Sequence, residues 1–218
     1  RESGGRTKTS RSSKSYVGER ALGVANLKPS IAYGMLQHAV LSPGCVLLDP
    51  LAGSGTIVEL AEAERHAQIF CLAGDCDEAA CRRTWKNGGG RVDVVQWDAM
   101  NLPLRPGCID SLVTDLPFGK RCGTHAKNIQ LYPAVLAEAG RVLRSTKCSR
   151  VVLLSADRSA MAKLTPGRGR QFGKLRKHHE FMINVGGLQA STMVFRHTNE
   201  QISNAEQPGS GSSQSSSS

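Results

Sequence analysis

The run Leu47-Leu48-Asp49-Pro50-Leu51-Ala52-Gly53-Ser54-Gly55-Thr56 sets an acid and two glycines between an apolar stretch and a helix-compatible one. Gly53 and Gly55 let the main chain turn sharply at positive φ and pass close to a ligand. In an open α/β sheet, ligands bind at the carboxyl ends of strands. The pattern reads as a nucleotide-type cofactor site. No Lys follows the second glycine, so this is not a Walker A loop, and the third glycine of the dinucleotide fingerprint is missing. An acid ahead of the glycines repels a pyrophosphate, whereas Asp49 is well placed beside the ammonium of S-adenosylmethionine. The plain alternative is a tight strand-to-helix turn with no ligand.

Two further acids fall where such a cofactor needs them. Asp75 follows Gly74 about 20 residues past the glycine turn, the spacing at which an acid accepts from ribose hydroxyls. Asp77 competes with it and ranks second. Asp98, in Gln96-Trp97-Asp98-Ala99, is placed to accept from an adenine amine. Then comes Thr114-Asp115-Leu116-Pro117-Phe118-Gly119-Lys120-Arg121. Pro117 stiffens this turn and Gly119 permits a sharp exit, so the Asp115 carboxyl and the Leu116 carbonyl are expected to point into one pocket under the Phe118 ring. Two acceptors and an aromatic plate suit a planar base with an exocyclic amine, oriented so that its nitrogen faces an electrophilic methyl. The amine of guanine is conjugated and weakly nucleophilic, so hydrogen bonds that favour its pyramidal form lower the barrier. Asp115 need not be a strong base, because the nitrogen becomes acidic once methylated. The alternative is an ordinary loop with Phe118 in the core.

Positioning these groups takes short apolar strands alternating with helices. Cys45 to Leu48, Ile69 to Ala73, Val92 to Gln96, Ile109 to Thr114 and Val151 to Ser155 are the strand candidates, three of them nearly continuous apolar runs of the kind buried in a parallel sheet. Thr56 to His66, Glu78 to Asn87 and Tyr132 to Leu143 read as helices. Glu180 to Val185 and Thr192 to His197 flank Gly186-Gly187 and predict an antiparallel pair at one sheet edge. This is an α/β sheet with helices on both faces. Residues 1 to 18 are basic and Ser-rich and 200 to 218 are Gly/Ser-rich, so both ends are expected to be disordered around one domain at 19 to 199.

The chain of 218 residues is long enough for one such domain, and no apolar run approaches the roughly 20 residues that cross a bilayer. The first residues lack the apolar segment of a secretory signal. Seven cysteines without a CxxC pair argue against a disulfide framework or a zinc site and for a reducing, intracellular setting. Cys71, Cys76 and Cys81 read as buried free thiols, Trp85 and Trp97 as packing residues, and His178-His179 as a surface pair rather than a catalytic dyad. The net charge is +10, and Arg141 to His179 alone holds eleven basic residues against one acid, Asp157. Clustered positive charge favours a polyanion. Arg168, Arg170, Lys174, Arg176 and Lys177 are the RNA-contact candidates; a merely solvated face is the alternative.

The DP-x-x-GSGT turn and the DLPFG loop together resemble the class I S-adenosylmethionine-dependent methyltransferases that act on amino groups. Leu27-Lys28-Pro29-Ser30-Ile31-Ala32-Tyr33-Gly34-Met35, Asp115 to Arg121, Leu131-Tyr132-Pro133 and Asn184-Val185-Gly186-Gly187-Leu188 are similar to the catalytic domain of the THUMP-domain tRNA guanine-N2 methyltransferases. The resemblance covers about Leu27 to Arg196. It implies a Rossmann-like, mostly parallel seven-stranded sheet with an antiparallel C-terminal edge hairpin. It also implies methyl transfer from S-adenosylmethionine to the 2-amino group of a tRNA guanosine, without a metal. By this resemblance Asp49, Gly53 and Gly55 line the methionine and ribose side of the cofactor, Asp75 takes the ribose, Asp98 the adenine, and Ser30 the cofactor carboxylate. Asp115, Leu116, Pro117 and Phe118 hold the guanine. The sequence departs from the family at Ala52, at Cys76 and in having no THUMP domain before residue 27, which makes a fragment or a shortened product the expectation. The family further implies a small zinc-binding activator subunit on an apolar edge, and a cytoplasmic or nuclear location. The rival readings are an amino methyltransferase acting on DNA adenine or protein glutamine, and a non-catalytic cofactor- or RNA-binding subunit.

Overall fold

The computed structural model describes residues 27–64, 68–118, 124–164 and 171–198. Apolar runs buried on both faces become the central strands β1 (Val46–Asp49), β4 (Ser111–Asp115) and β5 (Arg150–Ser155), and the less buried β2 (Phe70–Asp75) and edge strand β3 (Val92–Gln96) complete the parallel part, in spatial order β3-β2-β1-β4-β5. Past β5 the sheet turns antiparallel through β6 (Gln171–Phe172), β7 (Leu175–Val185) and β8 (Leu188–His197), of which β8 pairs with β5 and β7 lies outside it. The seven principal strands are thus joined by a two-residue eighth, β6, at the outer edge. Gly186 and Gly187, at φ 60 and 88, form the tight turn between β7 and β8, and Asn184 Oδ1 accepts from the Gly187 amide at 2.7 Å. Both hairpin strands extend further than their apolar segments suggest, because pairing continues through polar residues such as Arg176 and Gln189.

Helices α1 (Pro29–Gln37), α2 (Thr56–Glu64), α3 (Glu78–Asn87), α4 (His125–Val142) and α5 (Arg158–Lys163) cover the two faces. One core joins Leu48, Leu112, Leu153 and Phe195 of the sheet to Tyr132, Leu136 and Met161 of α4 and α5. The other joins Leu47, Val113, Val152 and Val194 to Met35 and Leu36 of α1 and Ile57 and Val58 of α2. Two helices lack a strong sequence signal. α1 begins with Pro29, whose fixed φ suits a first helical turn, and α5 spans only six residues capped by Asp157. α4 begins at His125, seven residues ahead of the predicted Tyr132, because Thr124 caps it and the helix continues through Pro133. β4 starts at Ser111; Ile109 makes only an isolated bridge to Leu143.

Two expectations are corrected. Trp97 is buried, but Trp85 is 61% exposed on the outer face of α3, since helical spacing turns it away from Ala80 and Thr84. Cys71 and Cys81 are buried thiols, while Cys76 lies exposed in the loop leaving β2. The six described cysteines are free, and no helix among the described residues is long and apolar enough to cross a membrane. The terminal segments expected to be disordered lie outside the described residues, as does the end of the predicted helix at 65–66.

Candidate active site

The strand order reverses between β1 and β4, and at this switch point the carboxyl ends of neighbouring parallel strands present Asp49, Asp75 and Asp115 on one edge of the sheet, with Asp98 just past β3. The glycine turn leaves β1 with Gly53 at φ 57 and Gly55 at φ 81. At Gly55 a Cβ would come within 2.9 Å of Thr84 Cγ2, so the residue serves both the turn and its packing on α3. Neighbouring groups pin the turn. Gly53 N donates to Asp75 Oδ2 at 3.1 Å, Ala52 N to the Gly74 carbonyl at 2.9 Å, and Asn87 Nδ2 to the Ser54 carbonyl at 2.8 Å.

Asp75 holds two main-chain amides, that of Gly53 and that of Asp77 at 3.0 Å. Each carboxylate oxygen has two lone pairs, so capacity remains for a diol. Its competitor Asp77 caps α3, accepting from Ala79 N at 3.1 Å, and is thereby occupied. Asp98 accepts from Met100 N at 2.9 Å and is exposed at the same edge. Between them Trp97 packs on Gly74, where any Cβ would fall 2.3 Å from both the indole and the Val95 carbonyl, and donates its Nε1 hydrogen to the Pro50 carbonyl at 3.1 Å. Gly74 is therefore needed by Trp97, a role that sequence reasoning missed. Ser30 is exposed in the first turn of α1, and no described residue hydrogen-bonds its hydroxyl.

Asp49 sits beneath the turn, 1% exposed, where Oδ1 accepts from Thr114 Oγ1 at 2.7 Å and Leu51 N at 3.3 Å. Burial outweighs these bonds and pushes its carboxyl up to about 7. Asp115 is half-buried, and its Oδ1 is out of solvent with no hydrogen-bond partner. Burial first, and Asp49 second, push it up to about 8. Two buried carboxyls at the glycine turn, neither paired with a basic side chain among the described residues, favour a positively charged ligand whose charge would draw them towards ionisation.

The loop after Asp115 is held from behind. Leu116 N donates to the Leu154 carbonyl at 2.9 Å, and the Leu116 side chain is buried in the core facing α4. The Pro117 carbonyl accepts from Tyr132 Oη at 2.6 Å and Asn128 Nδ2 at 2.8 Å, both from α4. Tyr132 Oη also lies 2.5 Å from Ser155 Oγ. Asn128 Nδ2 reaches Asp157 Oδ2 at 3.0 Å, and His125 Nδ1 lies 2.8 Å from the same oxygen. Burial alone would raise Asp157, but bonds from His125, Asn128, Ala160 and Ser159 bring it down to about 2. Phe118 is partly buried against the core on the α1–α2 side, leaving the rest of its ring exposed beside Pro117. Tyr132, Asn128, Ser155 and Asp157 were missed as site residues. Leu131-Tyr132-Pro133 carried a signal without a role, and the others are contacts between elements far apart in sequence. Gly119, Lys120 and Arg121 lie outside the described residues.

The basic stretch is less uniform than its count suggests. Arg141 pairs with Glu138 at 2.7 Å, Arg144 with Asp110 at 2.7 Å and Lys177 with Glu180 at 3.0 Å, two of these acids lying before the stretch and one after it. Lys177 thus has a partner, Lys174 lies in the turn before β7 and Arg176 is exposed, while Arg168 and Arg170 lie outside the described residues. Of the expected surface pair His178-His179, His178 is exposed, whereas His179 is half-buried, stacks near Phe181 and meets the ring of His38 at 5.0 Å between centroids.

Comparison with known proteins agrees with this arrangement. The chain is 37% identical over 192 residues to the human (Homo sapiens) tRNA (guanine(6)-N(2))-methyltransferase THUMP3, which covers 81% of this chain and 37% of that protein. It is 30% identical over 138 residues to the human U6 snRNA (guanine-N(2))-methyltransferase THUMPD2, covering 61% of this chain and 26% of that one. Among solved structures, TrmN from Thermus thermophilus superposes with a TM-score of 0.67 at 25% identity, over 79% of this chain and 49% of that one. The chain thus spans well under half the length of these curated relatives. Residues 19–191 match the model of UPF0020, described as an RMKL-like methyltransferase domain. Matched over most of its length by this model, the chain belongs to the UPF0020 family of RMKL-like methyltransferase domains.

Proposed function

We propose that the chain transfers a methyl group from S-adenosylmethionine to the exocyclic 2-amino group of a guanosine in tRNA. The observation that carries this is the orphaned Oδ1 of Asp115, a buried acceptor at the carboxyl end of β4, directly beside the glycine turn. The residues fit the cofactor. Asp49 and Asp115 form an acidic floor for its positive charge, Asp75 keeps lone pairs for the ribose, Asp98 serves the adenine, and Gly53 and Gly55 let the main chain close over it. When bound, S-adenosylmethionine supplies a methyl group on a sulfonium leaving group.

The chain's own part is orientation. Asp115 and the main chain of Leu116 accept the amine hydrogens, Phe118 stacks on the base, and the Pro117 carbonyl is locked by Tyr132 and Asn128, so the loop needs no reordering as the bond forms. With the cofactor bound, transfer would exchange its carbon–sulfur bond for a carbon–nitrogen bond, and the surplus proton on nitrogen would pass to Asp115, ionised beside the cofactor's positive charge, or to water. Arg176 and Lys174 supply positive charge outside the pocket, which suits nucleic acid better than a protein glutamine. The catalytic unit in this reading spans 19–199 and acts in the cytoplasm or nucleus. Its small zinc-binding activator subunit finds an apolar edge at β3, where Phe70, Trp85 and Val95 are exposed on neighbouring elements.

The test is transfer of labelled methyl to unmodified bulk tRNA and to U6 snRNA, with and without the activator subunit, followed by nucleoside mass analysis. N2-methylguanosine in tRNA is the expected product. Asp115→Ala abolishes transfer while cofactor affinity stays within a few fold, and Asp75→Ala weakens the cofactor by about 1 to 3 kcal/mol. Methylation of another nucleoside or of protein, or cofactor binding with no transfer under any condition, overturns the reading.

A further inference from the structure

The amino end of the sheet, opposite the acidic site, carries three arginines in one row. Strand register sets Arg150 of β5 opposite Arg196 of β8, and Arg196 opposite Arg176 of β7. Residues directly opposite in an antiparallel pair share a face, and like charges so placed repel. The row lies on the α1 side, since Val152 and Val194, two residues along, join the core there. Arg150 opens β5, whereas Asp115 lies beside Leu154 at the far end, roughly 13 Å along the strand.

No acid offsets this row among the described residues. Arg150 is 8% exposed, and its Nη1 donates only to the carbonyls of Lys147 and Ser149, at 2.7 and 2.9 Å. Burial, then Arg196, lowers its affinity for its own proton. The Nε of Arg196 is out of solvent and has no partner. His178 stands at the β-bulge beside them, and after burial it is Arg196, His179, Arg150 and Arg176 that disfavour its charged form. The nearest acid on β7, Glu180, faces the other way, opposite Met193, and serves Lys177 and Ser191. Desolvated guanidinium groups without a counter-charge are costly, and their planar forks match phosphate oxygens.

We propose that Arg176 and Arg196, with the buried charge of Arg150 behind them, form a phosphate-binding row that grips the RNA backbone at the end of the sheet remote from the methyl-transfer site. This rests on the reading of RNA as substrate. Arg176 and Arg196 stand directly opposite on strands about 4.8 Å apart, close enough for both planar forks to reach one phosphate or two successive ones. It lies on a sheet surface rather than in a cavity, so it holds register and leaves base recognition to the loop at the other end.

The test compares the chain with its Arg176→Gln/Arg196→Gln variant and with an Arg82→Gln/Lys86→Gln control of equal charge loss on α3. Affinity for unmodified tRNA is measured by filter binding across a salt series, with S-adenosylmethionine affinity and the melting temperature alongside. The row variant is expected to lose about tenfold or more in RNA affinity and about two units of salt slope, with cofactor affinity unchanged and the control close to wild type. Equal losses in row and control, an unchanged salt slope, or no RNA affinity in the unaltered chain each overturn the proposal. So does a fall in melting temperature with RNA affinity intact, which would assign the row to a carboxylate of the protein itself. Loss of RNA binding in the row variant, in a chain that methylates no guanosine, would support the row while refuting the catalytic reading.

Discussion

Replacing Asp115 by Asn separates the electrostatics of the acidic floor from everything else in the fold. The Asp115 carboxyl is pushed from 3.8 up to about 8, by burial first and by Asp49 second. At about 1.4 kcal/mol per unit, that displacement is worth at most roughly 6 kcal/mol. The residue is half-buried, so water screens part of it, and an effect of about 2 to 4 kcal/mol is expected. The folded chain keeps this proton where the unfolded chain has lost it. Stability is therefore greatest below the unfolded value near pH 4 and is lost as pH rises towards about 8. Asparagine is neutral throughout and removes this slope. Near pH 4 the variant should match wild type or fall about 1 kcal/mol below it, since its amide brings donors that a carboxyl does not. Near pH 9 it should be the more stable by about 2 to 4 kcal/mol. Urea denaturation at both values measures the difference. Parallel pH profiles, or a variant that loses stability relative to wild type as pH rises, would refute the claim that this carboxyl is held uncompensated.

Two further outcomes test the support behind the loop. Tyr132→Phe removes one of two donors to the Pro117 carbonyl and the bond to Ser155, and should cost about 1 to 2 kcal/mol in stability. It should also lower kcat at saturating substrates, while cofactor affinity measured by calorimetry stays unchanged; an unaltered kcat would contradict the positioning role. Asp157→Ala takes the cap from α5 and orphans Asn128 and His125, at a cost of about 1 to 3 kcal/mol near neutral pH. Because the Asp157 carboxyl is held down at about 2, that cost should be complete above pH 4 and fade as pH falls towards 2, as read from thermal melts; a cost independent of pH would show that the cap geometry alone matters.

The order of strands and helices, the glycine turn and the acids at strand ends were legible in the chain, because each is a local pattern: an apolar run, a forced positive φ at Gly53 and Gly55, an Asp at the carboxyl end. Asp115-Leu116-Pro117-Phe118 stood out for the same reason. The sequence could place Asp75 and Asp77 as competitors, but not show that Asp77 caps α3.

What tertiary structure alone decided are relations between residues far apart in the chain. Folding buries both Asp49 and Asp115, which raises both carboxyls, and adds the charge of Asp75 near the first and of Asp49 near the second. Trp97 and the Val95 carbonyl make Gly74 obligatory from more than 20 residues away, through a Cβ that would fall 2.3 Å from each. Side chains of α4 lock the Pro117 carbonyl, which no spacing rule could announce. The basic stretch shows the same division. Its charge was countable, but only folding matched Arg141, Arg144 and Lys177 with acids elsewhere and left Arg150, Arg176 and Arg196 side by side. Hydrogen bonds and charges act through space over a few ångströms, and the chain alone fixes no such distance between residues many positions apart.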